Sequence, residues 1–426
     1  MNETKRSRRD FIQNITIAVL TVSAVLLFVQ TQVYNLGASS TFSRLFSGPD
    51  AQTVSVIAPQ QEDVSLCAPV RVAVASTYGR YGDIAMTTED EDFLSLRQLL
   101  AQALGSAHNL APSSSQAFMS ALTRSSVYYD FLSPLPLSVL GEVSQTAVTE
   151  EHISAWHLVI AEENNTVSLH LWDGGVRYYR GTTALSPEDL HEIVGLYEVG
   201  NAFFAYESSA AHAQSAFPCS LFLEDTPVLP QLSASSPLSD TTRLLVSLKF
   251  NPNTQNRYRD SDGTEVISES NNRTLRIESN GTVEYQSEDD PTLSIESENS
   301  IPSLAEAACE VNRLLSSLLT PSGDARIYLK DIFQNGDSTT LRFGYQVGGV
   351  PIRLTNDRHA AVVTLSGTTI SSMTLHIRQY TVTEQTSLLL PLRQALAIAA
   401  DSPDSDLSIG YVDKNNESVK ATWLAD

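Results

Sequence analysis

The sequence predicts an α+β protein: a single N-terminal transmembrane helix followed by an exported multi-domain body of antiparallel sheets with helices on one face. Two observations predict this fold class. The stretch from Phe11 to Ser43 contains no charged residue, and its first part is strongly apolar. Later in the chain, a β-hairpin followed by an amphipathic helix occurs three times. Antiparallel hairpins that alternate with single helices are typical of layered α+β architectures.

The apolar N-terminal segment is long enough to span a membrane. Phe11 to Val29 consists mainly of Ile, Val, Leu, Ala and Phe, and at about 1.5 Å per residue such a helix crosses a hydrocarbon core of roughly 30 Å. Cations that flank a membrane helix stay on the cytoplasmic side. Four cations precede the apolar segment: Lys5, Arg6, Arg8 and Arg9. We therefore expect a single-pass protein of the cell membrane, with a cytoplasmic tail (1–10), a transmembrane helix (11–31), a linker (32–63) and an extracellular body.

A cleaved signal peptide is the alternative interpretation of this segment. The apolar core of a signal peptide usually has about 7 to 15 residues, fewer than the run found here. The best cleavage site, Leu36-Gly37-Ala38, places a large Leu where a small residue is needed. We therefore favour an uncleaved anchor.

One face of the expected membrane helix carries polar and small residues. Asn14, Ala18, Thr21 and Val25 follow one another at spacings of 4, 3 and 4. Such a stripe can bind another transmembrane helix, at roughly 0.6 to 2 kcal/mol per polar contact. The alternative is a plain anchor without a helical partner. We predict that the stripe is a partner-binding face.

The composition of the body limits its partners. The chain of 426 residues has a formal net charge of −22, which opposes binding to nucleic acid and to anionic lipid surfaces. We therefore expect proteins, cations or neutral ligands as partners. Three cysteines allow at most one disulfide: Cys67, Cys219 and Cys309. Cys309 lies in a helical pattern, where a buried thiol is the interpretation that we prefer to a reactive one.

The N-terminal ectodomain (64–235) begins with a strand pattern and a helix pattern. Val70 to Val74 alternates between apolar and other residues, and Glu91 to Leu104 has apolar residues at helical spacing. The first hairpin-helix unit consists of Val167–Leu171 and Val176–Tyr179 around Asp173-Gly174, with a helix capped by Ser186.

The C-terminal ectodomain (240–426) contains the other two units, after a boundary that we place in the Ser- and Pro-rich segment Pro227 to Ser239. The second unit has a hairpin around Asn280-Gly281 and a helix from Ser303 to about Leu318. The third has a hairpin around Ser366-Gly367 and a helix at Pro391–Ala400. Further strand patterns are Leu341–Val347, Leu407–Val412 and Ser418–Trp423.

The sequence lacks the order of any familiar catalytic motif, so we expect neither an enzyme nor a cofactor. No nucleophile elbow, Walker loop, dinucleotide-binding glycine pattern or two-histidine zinc helix is present. One segment, Tyr258 to Gly263 with Glu269, approaches the frame of an EF-hand calcium loop. Its first position is Tyr258, which has no carboxylate, so we interpret the segment as an Asp-Gly turn and expect no metal site.

The order of several segments resembles the YycH (WalH) family of Gram-positive bacteria, and the second half is also similar to the YycI (WalI) proteins. The segments span nearly the whole chain: Tyr128–Leu137, Leu248–Asn253, Asp262–Thr264, Arg273–Ile277, Gly281–Tyr285, Phe343–Pro351, and Gly410-Tyr411 with Trp423. Two features depart from the family pattern. Trp423 follows Ala421-Thr422 where Pro-x-Trp is expected, and the region from Ala205 to Ser239 matches nothing in the pattern.

The resemblance implies a non-enzymatic regulator of a two-component system. With a YycI-like membrane protein as partner, such a regulator contacts the membrane helices of a WalK-like sensor histidine kinase, and through it adjusts cell-wall metabolism. Both inhibition and activation occur within the family, so the sign of regulation stays open. The alternative is an anchored extracellular module that binds a ligand or a protein, such as a protease, without kinase contact. An envelope hydrolase is a third and weaker hypothesis.

Overall fold

The computed structural model describes residue 66 and residues 71–425, except 88–89, 149, 151, 208–216, 237–240, 270–271, 289–290, 320–321 and 400–405. The chain divides into two compact units, residues 1–61 and residues 62–426, and every described residue belongs to the second. The expected transmembrane helix and its stripe at Asn14, Ala18, Thr21 and Val25 lie outside the described residues. Within the described part of the chain, no helix is both long and apolar enough to cross a bilayer.

A seven-stranded antiparallel sheet occupies the first half of the described chain. Its strands are β1 (Arg71–Ser76), β2 (Gly79–Asp83), β3 (His108–Pro112), β4 (Ser126–Pro136), β5 (Ser154–Glu163), β6 (Thr166–Trp172) and β7 (Tyr178–Thr182). They follow the order β2-β1-β4-β5-β6-β7-β3. Four helices accompany the sheet: α1 (Glu91–Ser106), α2 (Ser115–Leu122), α3 (Leu137–Ser144) and α4 (Pro187–Val194).

Both faces of this sheet are covered. Helices α1, α3 and α4 share a core with one face, which includes Val72 and Tyr129. Helix α2 and the two-stranded sheet of β8 (Ala202–Phe204) and β9 (Leu221–Leu223) share a second core with the other face, which includes Ala73 and Tyr128. In β1 and β4, consecutive residues are apolar and buried. Both faces of the sheet must therefore be covered by other elements. The prediction that helices cover one face was wrong for this sheet.

The remaining strands form a thirteen-stranded sheet. They are β10 (Leu229–Ser235), β11 (Arg257–Arg259), β12 (Glu265–Glu269), β13 (Arg273–Ile277), β14 (Thr282–Ser287), β15 (Arg326–Asn335), β16 (Ser338–Val347), β17 (Val350–Leu354), β18 (Ala361–Ser366), β19 (Thr369–His376), β20 (Gln379–Ser387), β21 (Leu407–Asp413) and β22 (Ser418–Ala425). Their order is β11-β12-β13-β14-β19-β18-β16-β17-β21-β22-β10-β20, and β15 pairs with β16. All pairings between these strands are antiparallel except that of β17 with β21.

Three helices follow the boundary segment: α5 (Thr241–Ser247), α6 (Leu304–Leu318) and α7 (Leu392–Ala399). Helix α6 packs against β15 and also against α3 of the first half. Val139 and Leu140 of α3 belong to the same buried core as Ala307 and Val311 of α6. The two halves of residues 62–426 therefore share one hydrophobic core.

The structure confirms the α+β class and the three hairpin-helix units. The hairpins β6-β7, β13-β14 and β18-β19 are antiparallel pairs, and the helices α4, α6 and α7 follow them. Ser186 caps α4 as expected, and Asp189 completes a capping box with it. Ser303 caps α6 by accepting a hydrogen bond from the backbone N–H of Glu306 at 3.2 Å.

The segment expected to separate the two ectodomains contains a strand. Within Pro227–Ser239, residues Leu229–Ser235 form β10, which inserts between β20 and β22 of the large sheet. Leu232 of this strand is only 1% exposed. The segment therefore forms part of the second sheet, and the division into ectodomains 64–235 and 240–426 remains a prediction about folding units.

Candidate functional site

A row of polar and aromatic side chains crosses the first sheet in register. Arg71 in β1 pairs with Asp130 in β4, and Asp130 pairs with His157 in β5. His157 pairs with Trp172 in β6, and the two rings stack with 4.8 Å between their centroids. The pairing register therefore brings together side chains from distant parts of the sequence. No pattern within a single strand predicts this row.

Arg71 lies between two buried carboxylates, those of Asp130 and Asp406. The guanidinium donates to Oδ1 of Asp406 at 3.1 Å through Nη1, and its Nη2 contacts both Asp130 and Asp406. Arg71 is 4% exposed, Asp130 0% and Asp406 6%. Ser220 donates to Asp406 at 2.6 Å, and the indole N–H of Trp156 donates to Asp130 at 3.0 Å. This network joins the first sheet to the residues that precede β9 and β21.

The network fixes the charges of its members. Burial alone would lower the pKa of Arg71, but Asp130 and Asp406 raise it above its ordinary value. Burial alone would raise the pKa of Asp406, but the charge and hydrogen bonds of Arg71 lower it. Burial lowers the pKa of His157, so this imidazole is neutral at neutral pH. The single cation of Arg71 thus faces the carboxylates of Asp130 and Asp406, and the adjacent His157 adds no charge.

A cleft of about 470 Å³ opens beside this network. Its volume lies within the range of small-molecule binding sites. We call it the cationic cleft, and the residues that define it are Arg71, Trp156, Lys330, Arg353, Arg358 and His359. Arg71 and Asp406 form a buried part of its wall, whereas Lys330, Arg353 and Arg358 are exposed.

The charge of this cleft is opposite to that of the chain. Its lining contains four Lys or Arg residues and two Asp residues, so the lining is net positive, whereas the chain has a formal net charge of −22. Among the described residues, no carboxylate lies within ion-pair distance of the Lys330 ammonium or the Arg358 guanidinium. These two cations are therefore available to a ligand.

Two basic groups in the cleft have lowered pKa values. Partial burial lowers the pKa of Lys330, although part of the side chain is exposed, and the charge of Arg353 adds to this effect. Burial and the charges of Lys330 and Arg342 lower the pKa of His359 to about 4. His359 is therefore a neutral imidazole at neutral pH, which can donate one hydrogen bond and accept another.

The backbone of β4 is irregular where it borders the cleft. The pairing of β4 with β5 shifts register between Asp130 and Leu135. Leu132 has φ of 68°, a left-handed conformation that is uncommon for a bulky residue, and its N–H donates to Asp130 at 3.0 Å. Ser133 donates to the backbone carbonyl of Lys330. The bulge therefore ties the first sheet to the strand that carries Lys330.

Two of the segments that carry the family resemblance line this cleft, and a third is adjacent to it. Leu132 and Ser133 come from Tyr128–Leu137, and Gly344 and Pro351 come from Phe343–Pro351. The third segment lies in β21 and β22, and its Tyr411 pairs with Ile352 of β17. The other segments form β12 to β14 and their surroundings, in another part of the large sheet.

The calcium-loop-like segment forms a hairpin turn between β11 and β12. The N–H of Gly263 donates to the carbonyl of Asp260 at 3.0 Å, and the carboxylate of Asp260 pairs with Arg276. Glu269 pairs with Arg273. In the described part of the chain, no three His, Cys, Asp or Glu residues are grouped as metal ligands would be.

The described cysteines are free thiols. Cys219 is buried, and burial raises its pKa well above the ordinary value. Cys309 is half-buried rather than fully buried, and burial raises its pKa to about 11. Both are protonated at neutral pH. Cys67 lies outside the described residues.

Comparison of the chain with protein-family models, with curated proteins and with solved structures found no match. The family resemblance therefore depends on the quoted segments alone. Sequence reasoning predicted a partner-binding site only at Asn14, Ala18, Thr21 and Val25, outside the described residues, and missed the cationic cleft. Arg71 lies more than two hundred positions before Lys330, and only the excess of cations in the segment Arg353–Arg358 gave a local signal.

Proposed function

We propose that this chain is a membrane-anchored accessory regulator of a two-component signalling system. In this proposal the body is extracellular and the N-terminus cytoplasmic. The transmembrane helix modulates a WalK-type sensor histidine kinase, and the body binds the ectodomain of a YycI-like membrane protein. The protein acts by contact rather than by catalysis, and its effect on the kinase changes cell-wall metabolism.

One observation carries the proposal beyond the resemblance itself. The segments Tyr128–Leu137 and Phe343–Pro351, which lie far apart in the sequence, both line one cleft, and Tyr411 of a third segment pairs with the cleft residue Ile352. Each of the two segments contributes residues to the lining of the same concave surface. Their convergence on a concave surface supports a binding function for the body, as a regulator that senses or contacts another molecule requires.

A pull-down of the full-length protein from membranes tests this proposal. We expect the protein to recover a sensor histidine kinase and a YycI-like protein. A matched variant in which residues 11–31 are exchanged for an unrelated apolar helix should lose the kinase, because the polar stripe at Asn14, Ala18 and Thr21 is then absent. Failure of both forms to recover any kinase would contradict the proposal.

The cleft also favours a second candidate function, an anchored extracellular module that binds a ligand or a protein without kinase contact. The same pull-down separates the two candidates. The second predicts that a soluble molecule or an exported protein is recovered, and that exchange of residues 11–31 leaves this recovery unchanged.

A further inference from the structure

We propose that the cationic cleft binds a small organic phosphate. The phosphate group lies between Lys330 and Arg358, and the organic portion lies against the indole ring of Trp156. This inference extends beyond regulation by protein contact. It also differs from the expectation that an acidic chain would bind only proteins, cations or neutral molecules.

The first argument is electrostatic. Three exposed cations, Lys330, Arg353 and Arg358, line one cleft, and the charge of Arg353 already lowers the pKa of Lys330. Asp357 offsets part of this positive charge, the lining as a whole remains net positive, and an anion would offset more of it. A phosphate monoester, with a charge of about −1.5 to −2 at neutral pH, offsets more of it than a carboxylate does.

The second argument comes from the buried wall of the cleft. Arg71 lines the cleft at 4% exposure, and its Nε has no hydrogen-bond partner among the described residues. Buried polar groups without a partner are rare in folded proteins, and this one lies in the wall of the cleft, where a polar ligand would be a possible partner. The neutral His359 can also donate to a phosphate oxygen.

The third argument concerns the shape and polarity of the cleft. Its volume of about 470 Å³ exceeds what an inorganic ion needs. Trp156 is half-buried, and Leu132 and Leu424 also line the cleft. A flat or apolar group attached to the phosphate would fill this part and remove apolar surface from water.

Calorimetric titration of the purified full-length protein tests the inference with three probes: phenyl phosphate, inorganic phosphate and benzoate. We expect phenyl phosphate to bind about tenfold more tightly than either of the others, since each lacks one of the two recognised groups. Absence of binding at about 10 mM phenyl phosphate would overturn the inference, because this concentration exceeds the dissociation constants of even weak specific sites. If benzoate binds as tightly as phenyl phosphate, the cleft does not recognise a phosphate group. If inorganic phosphate binds as tightly as phenyl phosphate, the cleft does not recognise an organic portion.

Variants locate the site. We expect Lys330→Ala and Arg358→Ala each to weaken phenyl phosphate binding about tenfold, because each removes one charge-assisted contact. Lys414→Ala is the matched control, because it removes one cation from the exposed turn between β21 and β22. If it weakens binding as much as the other two, the effect is one of overall charge and the site is not the cleft.

Thermal denaturation shows whether the variants are folded. Both cleft variants change exposed side chains, so we expect their melting temperatures without ligand to match that of the wild type. Phenyl phosphate should raise the melting temperature of the wild type, and of Lys414→Ala, more than that of the double variant Lys330→Ala/Arg358→Ala. An equal rise in all forms would contradict the inference. The experiment contains no kinase, so its failure leaves the regulatory proposal standing.

Discussion

At the scale of single residues, the guanidinium of Arg71 links parts of the chain that are remote in sequence. It contacts Asp130 of the first sheet and Asp406, which precedes β21 of the second. All three side chains are almost fully buried. A buried ion pair adds little stability over a well-packed apolar core, but removal of one partner leaves a charge without compensation.

The first prediction follows from this asymmetry. We expect Arg71→Met to lower the free energy of unfolding by about 3 to 5 kcal/mol, because Asp130 and Asp406 then lose their shared cation. Urea denaturation measures the change. Arg177→Met is the control: it breaks the ion pair with Asp173 on a 63% exposed side chain, and such pairs contribute at most about 1 kcal/mol. Similar losses in the two variants would show that the Arg71 network does not couple the sheets.

A second prediction concerns the buried imidazole of His170 in β6. Burial lowers its pKa to about 4, although the nearby Glu163 acts in the opposite direction. In the unfolded chain the pKa returns to about 6.5, so between pH 6.5 and 4 the unfolded state binds more protons. The stability that neutral His170 provides is therefore complete above pH 6.5 and lost as the pH falls towards 4, by up to about 3 kcal/mol.

Denaturation at several pH values checks the His170 prediction. His170→Asn should make the dependence of stability on pH between about 6.5 and 4 less steep, because one of the titrating groups is gone. His152→Asn, at an exposed position, should leave the slope as it is in the wild type. An unchanged slope in His170→Asn would contradict the assignment.

At the scale of elements, the sequence predicted what depends on local chemistry. Asn280-Gly281 and Ser366-Gly367 indicated their hairpins, and Ser186 and Ser303 indicated where helices begin. It did not predict β10, because the strand lies in a segment whose Ser and Pro content is typical of linkers. Partners that come from β20 and β22, more than 140 residues later, hold this strand in place. The cleft was missed for the same reason, since Lys330 and Arg71 meet only through the packing of two sheets.

The turn between β16 and β17 gives a prediction at this scale. Gly348 and Gly349 have φ of 53° and 76°, as the two-residue turn requires. A Cβ on Gly349 would fall on the carbonyl group of Ala85, which follows β2, whereas a Cβ on Gly348 would meet no atom within 4 Å. We expect Gly348→Ala to cost about 1 to 2 kcal/mol for the left-handed backbone alone.

Gly349→Ala should cost at least about 2 kcal/mol more, because the methyl group also overlaps the Ala85 carbonyl. Thermal or urea denaturation of the two variants measures the difference directly. Equal stabilities would mean that the turn does not contact the first half of the body as tightly as the structure indicates.

At the scale of the whole molecule, residues 62–426 form one compact unit with a shared core. A pair of independent ectodomains, as the boundary within Pro227–Ser239 suggested, would unfold in two steps. One shared core predicts a single cooperative transition. The tryptophans allow a test, because Trp172 lies in the first sheet and Trp423 in the second.

Two variants with one tryptophan each report on the two halves. Trp156→Phe/Trp423→Phe retains Trp172, and Trp156→Phe/Trp172→Phe retains Trp423, so both share the loss of the Trp156 hydrogen bond. We expect their fluorescence transitions in urea to coincide with the circular dichroism transition of the same variant. A fluorescence midpoint that differs from the circular dichroism midpoint would establish separate folding domains.

The central claim of this account is that the chain changes the activity of a sensor histidine kinase by contact. The most direct measurement is the autophosphorylation rate of a WalK-type kinase in membrane vesicles, with a YycI-like protein present and with or without the full-length chain. We predict that the chain changes the rate several-fold, as allosteric couplings of about 1 to 3 kcal/mol do, and that exchange of residues 11–31 abolishes the change. An identical rate with the wild-type chain, the exchanged form and no added chain would contradict the claim.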